Sequence, residues 1–217
     1  MKLLASGEEG KVYKVEDGLI KIFNNERREN IINIDENIYK KLSLIKAKRF
    51  YLPTSLIYEN NKFIGIKMNE FKEFGKITDA RSIEINEIIK ELKLIEEDIK
   101  TLSDNGILIR DMKIGHILFN MLDSKIGIID CGLYEESCDK NLYLNNLIYM
   151  NYYLRQALLW VDNNITYHEM CGYDFPYIYD DLDHSMAYLS DILKIEANTY
   201  DVSTIEELRN VYKYKKF

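Results

Sequence analysis

Two aspartates and one lysine have the types and the spacing to act on a phosphate group. Asp111 is followed two positions later by Lys113, and Asp130 ends an apolar run 19 positions downstream (111 to 130). One carboxylate can orient an attacking hydroxyl, a second can hold a divalent ion, and a lysine can neutralise phosphate charge. The pair of aspartates therefore indicates phosphoryl transfer, if the preceding elements supply a nucleotide site.

A glycine-rich segment near the N-terminus could approach such phosphates. Residues 5–12 read Ala-Ser-Gly-Glu-Glu-Gly-Lys-Val, with glycine at positions 7 and 10. Glycine lets backbone N–H groups come close to phosphate oxygens because it has no Cβ to clash with them. The following hairpin turns at Asp17 and Gly18 and predicts a third strand that carries one inward lysine, Lys21.

In this order the segments resemble the protein kinase superfamily. Residues 5–12 resemble the motif G-x-G-x-x-G-x-V, with Ala5 in the first glycine position, and the strand of Lys21 resembles V-A-I-K. Residues 109–116 resemble the catalytic loop H-R-D-x-x-x-x-N, and residues 130–132 resemble the triplet D-F-G. The resemblance covers residues 5–132 and thins afterwards.

The resemblance implies ATP and Mg²⁺ as cofactors, with Mn²⁺ as the alternative metal. It implies that Asp111 is the catalytic-loop base, that Lys113 reaches the γ-phosphate and that Asp130 holds the metal. The nucleotide would be bound by Gly7, Gly10, Val12, Lys21, Glu36, Met68, Asn69 and Phe71. The placement of Lys113 resembles that in Ser/Thr protein kinases more than that in small-molecule kinases.

Several positions depart from the kinase motifs. His116 stands where a second metal-binding asparagine belongs, and its softer imidazole nitrogen predicts Mn²⁺ preference, use of a single metal or weak activity. Ile109 replaces the histidine of the catalytic loop, and Cys131 replaces the phenylalanine of D-F-G. No A-P-E triplet follows Gly132, which leaves little room for a regulated activation loop or a peptide-docking platform.

An apolar stripe predicts a helix over residues 25–48, in the position of the αC helix of kinases. Its members recur within a narrow arc at helical spacing: Ile31, Ile34, Ile38, Leu42 and Ile45. The resemblance implies an acidic residue on this helix that pairs with Lys21. Glu36 fits best by its distance from the next strand, and Glu29 and Asp35 remain alternatives.

The remaining elements follow from hydrophobic periodicity and turn residues. Strands are predicted at residues 52–58 and 62–68, followed by a hinge segment at 68–71. A long helix is predicted over 82–105, ending before Gly106, then a hairpin at 117–119 and 125–129, and helices at 141–160, 184–196 and 205–212. Together these elements predict an α+β, two-lobed protein-kinase-like fold. Residues 1–71 would form a small antiparallel β-sheet with one helix, and residues 72–217 a mainly helical, truncated second lobe.

Composition limits the class of partner. The net charge of −7 argues against nucleic acids and anionic membranes, and the apolar share of 47% predicts a substantial core. The apolar runs are too short to span a bilayer, so we expect no membrane partner and a cytoplasmic protein. Cys131, Cys138 and Cys171 lack metal-ligand spacing and are expected to be reduced thiols.

Three functions fit the sequence. The leading one is an ATP-dependent phosphotransferase that resembles a minimal Ser/Thr protein kinase and moves the γ-phosphate to a hydroxyl. Ser/Thr hydroxyls are favoured over those of a metabolite, and the acceptor, a protein or a small molecule, is unidentified. A pseudokinase that binds ATP or a partner protein is favoured by Ala5, His116 and Cys131. A small-molecule kinase of the aminoglycoside or choline type is the third, since the acidic residues 179–183 could attract a cationic acceptor.

Overall fold

The computed structural model describes residues 1–24, 34–77, 82–120, 122–159 and 185–214. Within these ranges a five-stranded antiparallel sheet forms the N-terminal part, and helices dominate the C-terminal part, so the predicted α+β class is confirmed. Glu29, Ile31, Cys171 and the acidic residues 179–183 lie outside the described residues.

The N-terminal sheet is built from hairpins. Its strands are β1 (Lys2–Ser6), β2 (Gly10–Val15), β3 (Gly18–Phe23), β4 (Pro53–Glu59) and β5 (Lys62–Met68), in the spatial order β1-β2-β3-β5-β4. Lys21 lies in the central strand β3, opposite Val12 of β2 and Ile66 of β5. Because side chains alternate along a strand, Lys21 points to the same face as the buried Phe23.

One helix, α1 (Glu36–Leu44), packs on this sheet. Asp35 caps it by accepting a hydrogen bond of 2.8 Å from the backbone N–H of Asn37, and its buried face carries Ile38, Tyr39 and Leu42. The predicted extension of the helix to residue 48 is wrong. Ile45 adopts an extended backbone, with ψ of 132°, and leads the chain away towards the second part of the molecule.

The C-terminal part is organised around one long buried helix. Its elements are β6 (Phe74–Lys76), α2 (Ile85–Asp104), β7 (Ile107–Leu108), β8 (Ile117–Asn120), β9 (Ile126–Ile128), β10 (Glu135–Glu136), α3 (Leu142–Leu159), α4 (Met186–Tyr200) and α5 (Ile205–Tyr214). Gly106 follows α2 with φ of 68°, as predicted for a glycine that ends a helix. No helix in the described ranges combines the length and apolar character needed to cross a membrane.

A short backbone bridge joins the two parts. Phe50 pairs with Ile128 in a parallel β-bridge, and the N–H of Tyr51 donates to the carbonyl of Ile128 at 2.8 Å. This contact brings the sheet of Lys21 to the end of β9, which Asp130 follows. Residues 109 positions apart in the sequence are thereby brought into one site.

Candidate functional site

A cleft of about 290 Å³ lies between the N-terminal sheet and the β8–β9 hairpin. Its walls include Val12, Ile66, Met68 and Leu118, so most of its lining is apolar. Lys21 and Asp130 stand at one end. An apolar cavity with a few convergent charged groups is the usual form of a small-molecule site.

Three charged side chains meet beside the cleft: Lys21 and Asp130, which line it, and Glu9. Nζ of Lys21 donates to Oε2 of Glu9 at 2.6 Å and to Oδ1 of Asp130 at 3.0 Å. The Lys21 side chain is 11% exposed, whereas those of Glu9 and Asp130 are 23% and 31% exposed. One sheltered ammonium is thus shared by two partly exposed carboxylates, of which Asp130 lines the cleft.

Burial and charge act in opposite directions on this cluster. Burial alone would lower the pKa of Lys21, but the negative charges of Asp130 and Glu9 outweigh it and raise that pKa. Burial alone would raise the pKa of Asp130, but the positive charge of Lys21 and its hydrogen bond outweigh it and lower that pKa. Lys21 is therefore a cation and Asp130 an anion at neutral pH.

The loop that carries Asp111 is held by α3. Asn146 accepts a hydrogen bond of 2.8 Å from the N–H of Ile109, and the hydroxyl of Tyr149 accepts one of 3.1 Å from the N–H of Met112. Nζ of Lys113 donates to Oδ2 of Asp111 at 3.1 Å. This hydrogen bond raises the pKa of Lys113, which keeps the ammonium charged beside the carboxylate.

Arg110 has an acidic partner close at hand. Its Nε lies 3.4 Å from Oε2 of Glu135, in the two-residue strand β10, which pairs with β7 just before the Asp111 loop. Both side chains are more than half exposed, so this ion pair adds little stability. It ties the segment after Gly132 to the loop of Asp111.

Asp130 and His116 are the candidate metal ligands. Nε2 of His116 lies 3.9 Å from Oδ2 of Asp130, the oxygen not bonded to Lys21, and burial lowers the pKa of His116 so that the imidazole is neutral. Its Nδ1 is buried with no hydrogen-bond partner among the described residues. In the described part of the chain, no group of three or more His, Cys, Asp or Glu side chains could hold a metal ion by itself. A divalent ion here would need phosphate or water oxygens, as Mg²⁺ usually has.

The predicted pair between Glu36 and Lys21 is not formed. Glu36 lies in the first turn of α1, where its carboxylate accepts from Lys40 at 2.6 Å and from the hydroxyl of Tyr58 at 2.8 Å. The Glu36 carboxylate therefore contacts the edge strand β4 of the sheet, whereas Lys21 lies in the central strand β3. Of the alternatives, Asp35 is the helix cap and Glu29 lies outside the described residues.

The other predicted nucleotide-binding residues surround the cleft or its loop. Val12, Met68, Asn69 and Phe71 line it. Gly7 and Gly10 form the turn beside it, where the N–H of Gly7 donates to the carbonyl of Gly10 at 2.9 Å. Gly10 is sterically required, because a Cβ there would lie 2.2 Å from the carbonyl oxygen of Ile22, whereas a Cβ on Gly7 would meet nothing within 4 Å.

Sequence reasoning missed two residues of the site, Glu9 and Tyr39. Glu9 replaces Glu36 as a partner of Lys21, and the signal was an acidic residue inside a segment expected to bind phosphate. Tyr39 is 1% exposed, lines the cleft and contacts Phe23, with ring centroids 5.4 Å apart and the rings tilted by 46°. Burial, with the charges of the site, raises its pKa, so the phenol is neutral.

Comparison with known proteins supports the fold and goes no further. No family model and no curated protein matches the chain. A chain of the CAK complex from Chaetomium thermophilum, in a structure bound to ATP-γ-S, is similar with a TM-score of 0.51 and 15% identity. The match covers 64% of this chain and 48% of that one, so the chain spans about half the length of its structural neighbour. At this identity the likeness shows the fold alone, which is protein-kinase-like.

Proposed function

We propose that this protein is an ATP-dependent phosphotransferase, resembling a minimal Ser/Thr protein kinase, that moves the γ-phosphate of ATP to a hydroxyl. The observation that carries the proposal is the contact of 3.0 Å between Lys21 and Asp130 at the end of an apolar cleft. Phosphoryl transfer needs a cation beside the phosphates and a carboxylate for the metal. The complex that contains the structural neighbour is bound to ATP-γ-S, which agrees with this choice of nucleotide.

The two ends of the cleft would divide the recognition of ATP. The apolar walls, with Val12 and Met68, would enclose the base, and the segment of Asn69 and Phe71 would offer backbone groups to its edge. The charged end would take the phosphates, where the ammonium of Lys21 neutralises their oxygens. With its base between the apolar walls and its inner phosphates at Lys21, ATP would bring its γ-phosphate near Lys113, whose charge interacts with that of Asp130.

Asp111 and Lys113 would act at the transferred phosphate. Asp111 would accept a hydrogen bond from the acceptor hydroxyl and orient it, while Lys113 would contact the γ-phosphate oxygens. Their present contact of 3.1 Å keeps a base and a cation together, and Lys113 lies close enough to Asp130 to interact with its charge. The exposed Lys113 side chain, at 64%, has the freedom to turn from Asp111 to a phosphate.

Asp130 and His116 would hold the metal together with phosphate oxygens. Bound Mg²⁺ or Mn²⁺ would supply positive charge to the phosphates during transfer. The neutral His116 offers a nitrogen ligand, whereas Mg²⁺ prefers oxygen, so Mn²⁺ fits this pair of residues well.

A second candidate is nucleotide binding without transfer. In active protein kinases a glutamate of the αC helix pairs with the strand lysine. Here Glu36 is bonded to Lys40 and Tyr58 instead, and Lys21 is bonded to Glu9. The absence of that pair among the described residues favours a pseudokinase, which would bind ATP without transferring its phosphate.

ATP turnover and intact mass distinguish these functions. Purified protein is assayed in Mg²⁺ and separately in Mn²⁺, alongside Asp111→Ala, Asp130→Ala and the surface control Asp123→Ala, whose carboxylate pairs with Lys125. We expect ADP formation or added phosphate in the wild type and in Asp123→Ala, reduced by roughly 10²-fold or more in the other two variants. ATP binding with no turnover in either metal would reject transfer and select the pseudokinase.

A further inference from the structure

Glu9 occupies a hydrogen-bonding position on Lys21 that a bound phosphate could also use. Its Oε2 lies 2.6 Å from Nζ of Lys21, a normal length for a charge-assisted hydrogen bond. That ammonium also contacts Asp130, at 3.0 Å. We propose that Glu9 competes with nucleotide phosphate for Lys21 and thereby sets the affinity of the site for polyanionic ligands. This inference rests on the proposed binding of ATP.

The loop between β1 and β2 is fixed so that Glu9 turns inward. The backbone N–H of Asn24 donates to the carbonyl of Glu9 at 2.9 Å, and its side-chain amide donates to the carbonyls of Gly7 and Glu8 at 3.2 and 2.9 Å. These bonds anchor the loop backbone to the end of β3, the strand of Lys21. The Glu9 carboxylate then lies beside Lys21 and Gly132, which both line the cleft.

Glu9 also reaches the segment that follows Asp130. A Cβ built on Gly132 would lie 2.7 Å from Oε2 of Glu9 and 3.1 Å from Oδ1 of Asp130. The glycine-rich loop and the Asp-Cys-Gly segment thus approach each other through the carboxylate of Glu9. A phosphate entering between them meets that carboxylate first.

Charge balance makes this contact unfavourable once a nucleotide arrives. Lys21 carries one positive charge, and Glu9 and Asp130 together carry two negative charges. A triphosphate adds several more, so it either displaces a carboxylate or is repelled by both. Asp130 is additionally bonded to the N–H of Gly132, at 3.2 Å, and is the candidate metal ligand. Glu9 is therefore the group that leaves, by rotation of its longer side chain into solvent.

The competition affects the binding of the phosphates and leaves the binding of the adenine base unchanged. Adenosine would fill the apolar end of the cleft without reaching Lys21, so its affinity is independent of the charge on Glu9. ATP must break the bond between Glu9 and Lys21, so its affinity rises when that charge is removed. Glu9→Gln removes the charge at nearly constant size and leaves Lys21 its contact with Asp130.

Calorimetric titration with ATP and with adenosine, at constant Mg²⁺, tests the proposal. The proteins are the wild type, Glu9→Gln and the charge-matched control Glu16→Gln, which changes an exposed residue between β2 and β3. We expect ATP to bind Glu9→Gln about tenfold more tightly, within the usual range of coupling between sites. Adenosine should bind all three proteins alike, and thermal unfolding confirms that each variant is folded.

A double variant locates the effect on Lys21. In the Lys21→Met background, the change Glu9→Gln should strengthen ATP binding far less, because the group under competition is gone and only repulsion by the carboxylate remains. Equal ATP affinity in the wild type and Glu9→Gln, weaker binding in Glu9→Gln, or a gain of the same size without Lys21 would each overturn the proposal. If neither the wild type nor Glu9→Gln binds ATP, the proposal and the nucleotide site are both overturned. A tenfold gain without turnover would support competition and reject only the proposed transfer.

Discussion

Asp111 and Asp130 both hold their backbone in the left-handed region, with φ of 51° and 65°. Side chains other than glycine adopt this region at a cost, and such residues occur often at functional sites. Aspartate tolerates it better than most residues, but alanine does not. Strain at the two residues proposed for chemistry is an observation independent of their motifs.

Replacing Asp111 by glycine or by alanine separates backbone strain from side-chain loss. We expect Asp111→Gly to be more stable than Asp111→Ala by about 1 kcal/mol, because glycine adopts positive φ freely. Chemical denaturation of both variants measures the difference. At Asp123, which has no positive φ, glycine should be no more stable than alanine. An Asp111→Ala variant as stable as Asp111→Gly would contradict the strained backbone.

Among the elements, α2 holds two segments near the site in place through two buried carboxylates. Asp98 is 3% exposed and accepts hydrogen bonds from the backbone N–H groups of Lys48, Arg49 and Phe50. Glu91 pairs with Arg49 and accepts from the N–H of Ile126, at 2.9 Å, in β9. One helix therefore fixes both the segment that leads into β4 and the strand that leads to Asp130.

Loss of Asp98 should destabilise the protein far more than loss of its neighbour Glu97. Asp98→Ala leaves three sheltered N–H groups without their acceptor, and we expect it to lower the free energy of unfolding by about 3 kcal/mol. Glu97→Ala removes only an exposed contact of 2.7 Å with Lys48, a loss of under about 1 kcal/mol. Urea denaturation compares the two. Similar losses in both variants would show that Asp98 does not anchor residues 48–50.

Elements with clear periodicity were predictable from the sequence. The strand at residues 62–68 has the predicted bounds, and α2 and α3 differ from their predictions by a few terminal residues. Strands β6, β7 and β10 were not predicted, because two or three residues carry no measurable alternation.

Glu9, a partner of Lys21, was missed for another reason. Periodicity indicates which face of a helix is buried, but not whether a loop residue such as Glu9 turns inward.

At the scale of the whole molecule, the site exists only where the two parts meet. Lys21 comes from the sheet and Asp130 from the segment after β9, and the bridge between Phe50 and Ile128 joins these two parts. Farther away, Arg209 of α5 donates to the carbonyls of Leu158 and Ala157 at the end of α3, at 2.7 and 2.8 Å. The helix α5 thereby helps to hold α3, the helix that is hydrogen-bonded to the Asp111 loop.

ATP turnover in a double-variant cycle tests whether Lys21 and Asp130 work as one site. The four proteins are the wild type, Lys21→Met, Asp130→Asn and the double variant, assayed at one metal concentration after their folding is checked. We expect each single change to reduce turnover by roughly 10²-fold or more, and the double change to be no slower than the slower single one, because residues that act as a unit are strongly non-additive. Full turnover in either single variant, or losses that multiply in the double variant, would contradict a shared phosphate and metal site.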